Sequence, residues 1–287
     1  MKFQPFKKIL IGFAFSPNLK ANIYEALRIS SSLNAEIIFF HVGEKTDEKV
    51  STINDLINSS PLKTKKVSVS WQNGKPVPTL IKACQDLNID LLLIGALKRE
   101  NVLKFYLGSI ARKITRRVSC SVLLLINPSV ENRLREHVVV NGLDSPKTKE
   151  TIKVAFYITK SFSSLKITLV EEISSSKVAV LVDDDFTLRK ATLKKERLTK
   201  QEQNRVGDVV ESLPNEIREN VTWKTQSIFG RRGYSIGHYA RVVRADLLIM
   251  NSQEKNSFFG RLFPKDLEHI LAELPTDVLI VKNKGNG

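Results

Sequence analysis

The stretch NIDLLLIGALKRENVLKFYLGSIARKITRRVSCSVLLLI, Asn88 to Ile126, decides the fold because the chain carries it twice. Its counterpart is RADLLIMNSQEKNSFFGRLFPKDLEHILAELPTDVLIVK, Arg244 to Lys282. Asp90 answers to Asp246 and Val122 to Val278, both 156 residues on. Upstream, WQNGKPVPTLIKAC from Trp71 matches SIFGRRGYSIGHYA from Ser227, with Gly74 and Gly230 again 156 apart. The beginnings align at a shorter offset. ILIGFAFSPNLKANIYEAL and VVVNGLDSPKTKETIKVAF place Ser16-Pro17 over Ser145-Pro146, 129 residues on. A repeat of this length is one folding unit used twice. The change of offset leaves about 27 further residues in the second copy, so an insertion is expected around 173–215.

Each copy alternates short apolar runs with amphipathic segments. In the first, strands are expected at 8–15, 35–42, 66–72, 90–95 and 121–126, with helices at about 19–33, 47–58, 76–87 and 108–118. The runs are nearly all apolar, as parallel strands covered on both faces must be. The helices place apolar residues three and four apart, as in Ile23, Ala26 and Leu27, or Ile110, Ile114 and Val118. Right-handed crossovers then give an α/β fold of two tandem doubly wound, Rossmann-like domains, each with a mainly parallel five-stranded sheet. The units are expected at 1–128 and 136–284, joined by the short polar segment NPSVENRLRE.

Composition narrows the partners. The 287 residues are 42% hydrophobic and 26% charged, with a net charge of +15. No apolar run reaches the ~18 residues of a bilayer span, so no membrane partner is expected and a cytoplasmic location is. The basic, apolar start MKFQPFKKILIGFAF is broken by Gly12 and reads as a first strand rather than a leader. The positive excess attracts polyanions without naming one, which leaves a nucleic-acid binder as a minor reading. Cys84 and Cys120 have no CxxC partner or metal-spaced His and read as unpaired core thiols.

In such sheets ligands lie at the carboxyl ends of the strands. Gly95 ends one strand, and Gly108-Ser109 opens a basic helix after it. Gly95 lets the chain turn away without a Cβ, while the first amides of the helix and the Ser109 hydroxyl can donate to an anion.

The ordered features KKILIGFAFSPN, IIFFHV, GKPVPTLIKACQDLNIDLLLIG and LGSIARKITRRVSCSVLLL, together with the repeat, resemble the universal stress protein family, and the whole chain resembles a tandem member of it. The resemblance implies the fold of the adenine-nucleotide alpha-hydrolase-like group, dimerisation largely through the last strand, and stress-linked expression. Some members bind ATP through Gly-x2-Gly-x9-Gly-(Ser/Thr). Here Gly95, Gly108 and Ser109 match, and Lys98 stands at the second glycine. Lys98 either sets a charge on a phosphate or fills the pocket. Val42 matches the position whose backbone reads adenine, and Ala14 stands where binding members have a strand-end Asp. In the second copy Asn251, Glu254 and Pro264-Lys265 replace the motif, and Leu143 replaces the Asp.

The expected function is therefore a non-catalytic stress-response regulator or protective protein. The alternatives are an adenine-nucleotide sensor binding only in the first half, and a charge-driven polyanion binder. No catalytic or metal residue is expected. Arg112, Lys113, Arg116 and Arg117 read as a solvated basic face, Asp183 to Asp185 as a solvated turn, and His41 as a packed histidine. An intramolecular pseudo-dimer is expected with strands 121–126 and 277–282 at or near the contact. A homodimer and an unidentified protein partner are compatible with it.

Overall fold

The computed structural model describes residues 3–62, 64, 66–98, 105–178, 181–252 and 265–282. The first half runs β1 (Lys8–Phe13), α1 (Leu19–Ser32), β2 (Glu36–Val42), α2 (Asp47–Asn58), β3 (Lys66–Gln72), α3 (Pro76–Asp86) and β4 (Leu91–Gly95). A two-stranded ribbon follows, β5 (Leu97–Lys98) with β6 (Phe105–Tyr106), then α4 (Ser109–Arg117) and β7 (Ser121–Leu125). The second half runs β8 (His137–Asn141), α5 (Thr148–Ser161), β9 (Lys166–Ser174), α6 (Asp185–Glu211), α7 (Asn215–Arg218) and β10 (Thr222–Gly230). It closes with α8 (Tyr234–Val242), β11 (Leu247–Asn251), α9 (Lys265–Ala272) and β12 (Asp277–Val281).

The expectation of two five-stranded sheets is corrected in one respect. The strands form a single ten-stranded sheet in the order β10-β9-β8-β11-β12-β7-β4-β1-β2-β3. Every pairing is parallel except β12 with β7, where Leu279 faces Leu123 in an antiparallel register. The cause is local. After their first residues, Ser121 and Asp277, both strands are apolar and buried, so neither can serve as an exposed edge, and each satisfies the other's free backbone groups.

Alternation along the strands sends side chains to two cores. Ile9, Ile11 and Phe39 face the layer of α1, α2, α5 and α6, while Leu10, Phe40 and Leu92 face α3, α4, α8 and α9. Both cores run unbroken from one half into the other. The two repeat offsets are visible as bonds. The Asp90 carboxylate accepts the amides of Lys7 and Lys8, and the Asp246 carboxylate accepts those of Glu136 and His137. Each joins the strand that follows it to the head of the first strand of its half. At the β7–β12 seam, Ser121 Oγ accepts from the Lys282 amide at 3.1 Å and Asp277 Oδ1 accepts from the Ile126 amide at 2.9 Å.

The segment between the halves is pinned by buried charge. Arg28 on α1 donates to the carbonyls of Ser129 and Val130 and pairs with Glu25. Arg135 pairs with the other Glu25 oxygen and lies 3.6 Å from Asp277. Burial raises the Glu25 carboxyl, but the guanidiniums of Arg135 and Arg28 outweigh it and hold the group below the usual carboxylate range. Burial pushes Asp277 up to about 6 against the pull of Arg135 and the Ile126 amide.

The basic face expected on α4 is also corrected. Arg112 pairs with Glu268 of α9 at 2.7 Å and donates to the Leu271 carbonyl, and Arg116 holds the other Glu268 oxygen. Two of its four cations are therefore spent on the other half. Between β9 and β10 the chain makes a short 3-10 turn at Ser175–Lys177, then the 27-residue α6 and the single turn of α7. Asp184 is the N-cap of α6 in a reciprocal box with Thr187, which is what its acidic run does. No cluster of metal-ligating side chains occurs among the described residues.

Candidate functional site

The sheet reverses its winding between β1 and β4, since β2 and β3 lie to one side and β7 to the other. A crevice must open at the carboxyl ends of those two strands. It is a pocket of about 730 Å³, a size suited to a small organic ligand. Gly12, Phe13 and Ala14 from the end of β1, His41 and Val42 from the end of β2, and Gly95 from the end of β4 line it. Gly108 and Ser109 close it at the head of α4.

The structure thus brings Val42, Gly95, Gly108 and Ser109 around one cavity. Lys98 is placed in the ribbon beyond Gly95, and its side chain lies outside the described residues. Gly108 is the N-cap of α4 with φ −60° and ψ 160°, and no side chain caps the helix. Its first-turn amides and its partial positive charge face the cavity. Ile110, expected in the buried stripe of α4, is instead half exposed and lines the pocket. Gly95 stands against α1: a Cβ there would lie 3.4 Å from Asn22 Oδ1.

Two contributors were not legible beforehand. Asn22 lines the cavity from α1, and its Oδ1 is buried without a hydrogen-bond partner. A lone Asn in an amphipathic helix reads as surface, and nothing in its spacing marks it. The second is an aromatic cluster. Phe15 stacks on Trp71 with centroids 6.1 Å apart, and His41 sits 5.0 Å from Trp71 and 5.3 Å from Phe13. His41 is packed, as expected, and it also lines the cavity. Its Nδ1 donates to the Phe13 carbonyl at 3.1 Å, which fixes the tautomer. The Phe13-x-Phe15 alternation and the lone Trp71 were the available signal. No carboxylate and no lysine lines the cavity among the described residues.

The corresponding place in the second half is occupied by the chain itself. Glu172 stands where Val42 stands in the first half, next to β8. Its carboxylate accepts the amides of Gly233 and Ile236 at 2.9 and 2.8 Å and so caps the start of α8. Leu143, at the Ala14 position, is buried. Asn251 ends β11 and is buried, while Glu254 and Pro264 lie outside the described residues. The adjacent carboxylates Glu171-Glu172 inside an otherwise apolar strand were the signal for this.

Glu171 is buried, accepts a hydrogen bond from Ser227, and leaves Oε1 without a partner. Burial pushes its carboxyl up to about 7, opposed by Ser227 and by Arg205. The folded chain therefore holds this proton more tightly than the unfolded chain does. That contribution is complete in acid and lost as pH rises through about 7. Glu171→Gln is expected to flatten the fall in stability between about pH 4.5 and 7 by up to ~3 kcal/mol, read from urea midpoints across that range. An unchanged pH profile would contradict the assignment.

A ten-stranded doubly wound sheet with a switch-point cavity defines a Rossmann-like fold. Residues 59–125 match the model of the Universal stress protein family. Over those residues the chain is similar to that family, and across both halves it shares the fold of two-domain solved structures. A universal stress protein from Archaeoglobus fulgidus DSM 4304 superposes with a TM-score of 0.67 at 16% identity, over 96% of this chain and 98% of that one. A functionally unknown protein from Pseudomonas aeruginosa PAO1 gives 0.66 at 14%, over 97% and 93%. The cytoplasmic domain of a prokaryotic cation chloride cotransporter gives 0.54 at 11%, over 98% and 97%. These likenesses are of fold, and the fold serves more than one purpose. No curated protein matches the sequence.

Proposed function

We propose that the chain is a non-catalytic stress-response regulator or protective protein that binds an adenine nucleotide, such as ATP, in its first half only. The observation that carries this reading is the single cavity around Val42, Gly95, Gly108 and Ser109, with free helix amides at one end. On this reading Gly95 admits the ligand close to backbone, α4 and Ser109 receive a phosphate, and the Val42 backbone receives the base. Asn22 Oδ1 accepts from a ligand hydroxyl or amine, taking up work that Ala14 cannot do. Units 1–128 and 136–284 then divide labour: the first binds, and the second, with Glu172 in the ligand's place, supports. The chain acts in the cytoplasm as an intramolecular pseudo-dimer.

Binding without turnover is supported by the cavity's lining, where no carboxylate among the described residues is placed to activate water or hold a metal. The polyanion reading is weakened by the commitment of Arg112 and Arg116 to Glu268. The test is to denature natively purified protein and count released nucleotide, then to titrate ATP calorimetrically. One adenine nucleotide per chain is expected. None released, with no uptake of ATP at millimolar concentration, would overturn the reading.

A further inference from the structure

The N-terminal part of α6 and the residues leading into it bear the densest run of exposed apolar side chains among the described residues. Leu181 is 79% exposed, Phe186 73% and Leu193 56%, and Val182 and Leu188 are exposed as well. The helix is anchored elsewhere. Ala191, Val206 and Val210 are buried, Arg205 donates to the Gly142 carbonyl, and Lys195 lies over the Phe229 ring. At about 100° per residue these anchors share one side of the helix, and Phe186 and Leu193 lie on the opposite side.

That outward side carries more than the two apolar residues. Arg189, Lys190, Arg197 and Lys200 fall within about 60° of Phe186, and no acidic residue shares the arc until Asp208 and Glu211 in the last turns of the helix. None of the four makes an ion pair among the described residues. Apolar and cationic groups are therefore interleaved on one convex helical face, with open solvent around it.

We infer that this face docks on an anionic lipid surface. Charge complementarity selects the occupant. A second copy would bring four cations against four like cations. An acidic protein segment would have to match the spacing of cations spread along three turns. A lipid surface offers diffuse negative charge at any spacing and an apolar layer below it. Phe186 and Leu193 can enter that layer while the long stems of the arginines and lysines reach up to the headgroups. The expectation of no membrane partner rested on the lack of a spanning run. None of the described helices is long and apolar enough to cross a bilayer, and a peripheral contact requires none.

The test is co-sedimentation of the full chain with vesicles of phosphatidylcholine alone and of phosphatidylcholine mixed with phosphatidylserine. Binding is expected only with phosphatidylserine and is expected to weaken with salt. Phe186→Glu/Leu193→Glu and, separately, Lys190→Glu/Arg197→Glu should each lower the bound fraction at least about tenfold. Both pairs face outward, so the melting temperature should stay at the parent value and show that the variants are folded. No sedimentation of the parent with phosphatidylserine vesicles would overturn the inference. So would binding undiminished in both variants, which would assign the contact to the chain's overall charge.

Discussion

Gly108→Asp is expected to lower the affinity for ATP by about 100-fold or more while leaving the chain at least as stable as the parent. Gly108 is the N-cap of α4, its backbone is extended, and no side chain occupies the capping role. Aspartate is among the preferred residues at such a position, and its carboxylate accepts the same first-turn amides that a phosphate would use. The substitution supplies an internal anion where the ligand's anion belongs. A gain of about a few tenths of a kcal/mol from the new cap corresponds to a melting temperature higher by about one degree. Calorimetric titration and thermal denaturation on the same preparation read both effects. Unchanged ATP affinity with raised stability would show that α4 does not receive the phosphate. The second half already contains a natural version of this variant, since Glu172 caps α8 from within.

Glu25→Ala is expected to cost about 3–5 kcal/mol, the largest single loss of stability we anticipate in the molecule. Glu25 is buried and serves two guanidiniums, with Arg28 on one oxygen and Arg135 on the other. Removing it leaves both arginines in a buried setting, with Asp277 at 3.6 Å from Arg135 as the remaining carboxylate. Because the Glu25 carboxyl is held below its usual range, its contribution is present above about pH 4.5 and lost as pH falls. The difference between parent and variant urea midpoints should therefore be largest near neutrality and shrink in acid. A loss below about 1 kcal/mol at neutral pH would mean that the pair is no better than a surface ion pair.

The order of strands and helices was legible because each element carries its own signal. The run from Leu91 to Ile94 can only be a covered strand, and Asp90 and Asp246 mark the same corner in both copies. The cavity walls at Gly95 and Gly108 were legible for the same reason, since a glycine after a strand and before a helix has a backbone purpose. What escaped notice depends on distant parts of the chain meeting. Arg112 and Arg116 look like a solvated face until Glu268 is brought against them. Asn22 looks like surface until the end of β4 closes over it. The meeting of β7 and β12 was expected from the family resemblance, but that it joins ten strands into one sheet was not, since neither strand's sequence states which partner it takes.

The pairing of α4 with α9 bears on how the two halves came to depend on each other. Arg112 and Glu268 are 156 residues apart and so hold the same position in the two repeats. In an isologous assembly of two identical units, such a position would meet its own copy across the twofold axis. Two first halves would set Arg112 against Arg112 and leave Arg116 without its carboxylate. Two second halves would set Glu268 against Glu268. Opposite charges at one repeat position make the contact less favourable for like units and complementary for unlike ones. The two repeats meet about a pseudo-twofold axis as unlike partners carried on one polypeptide.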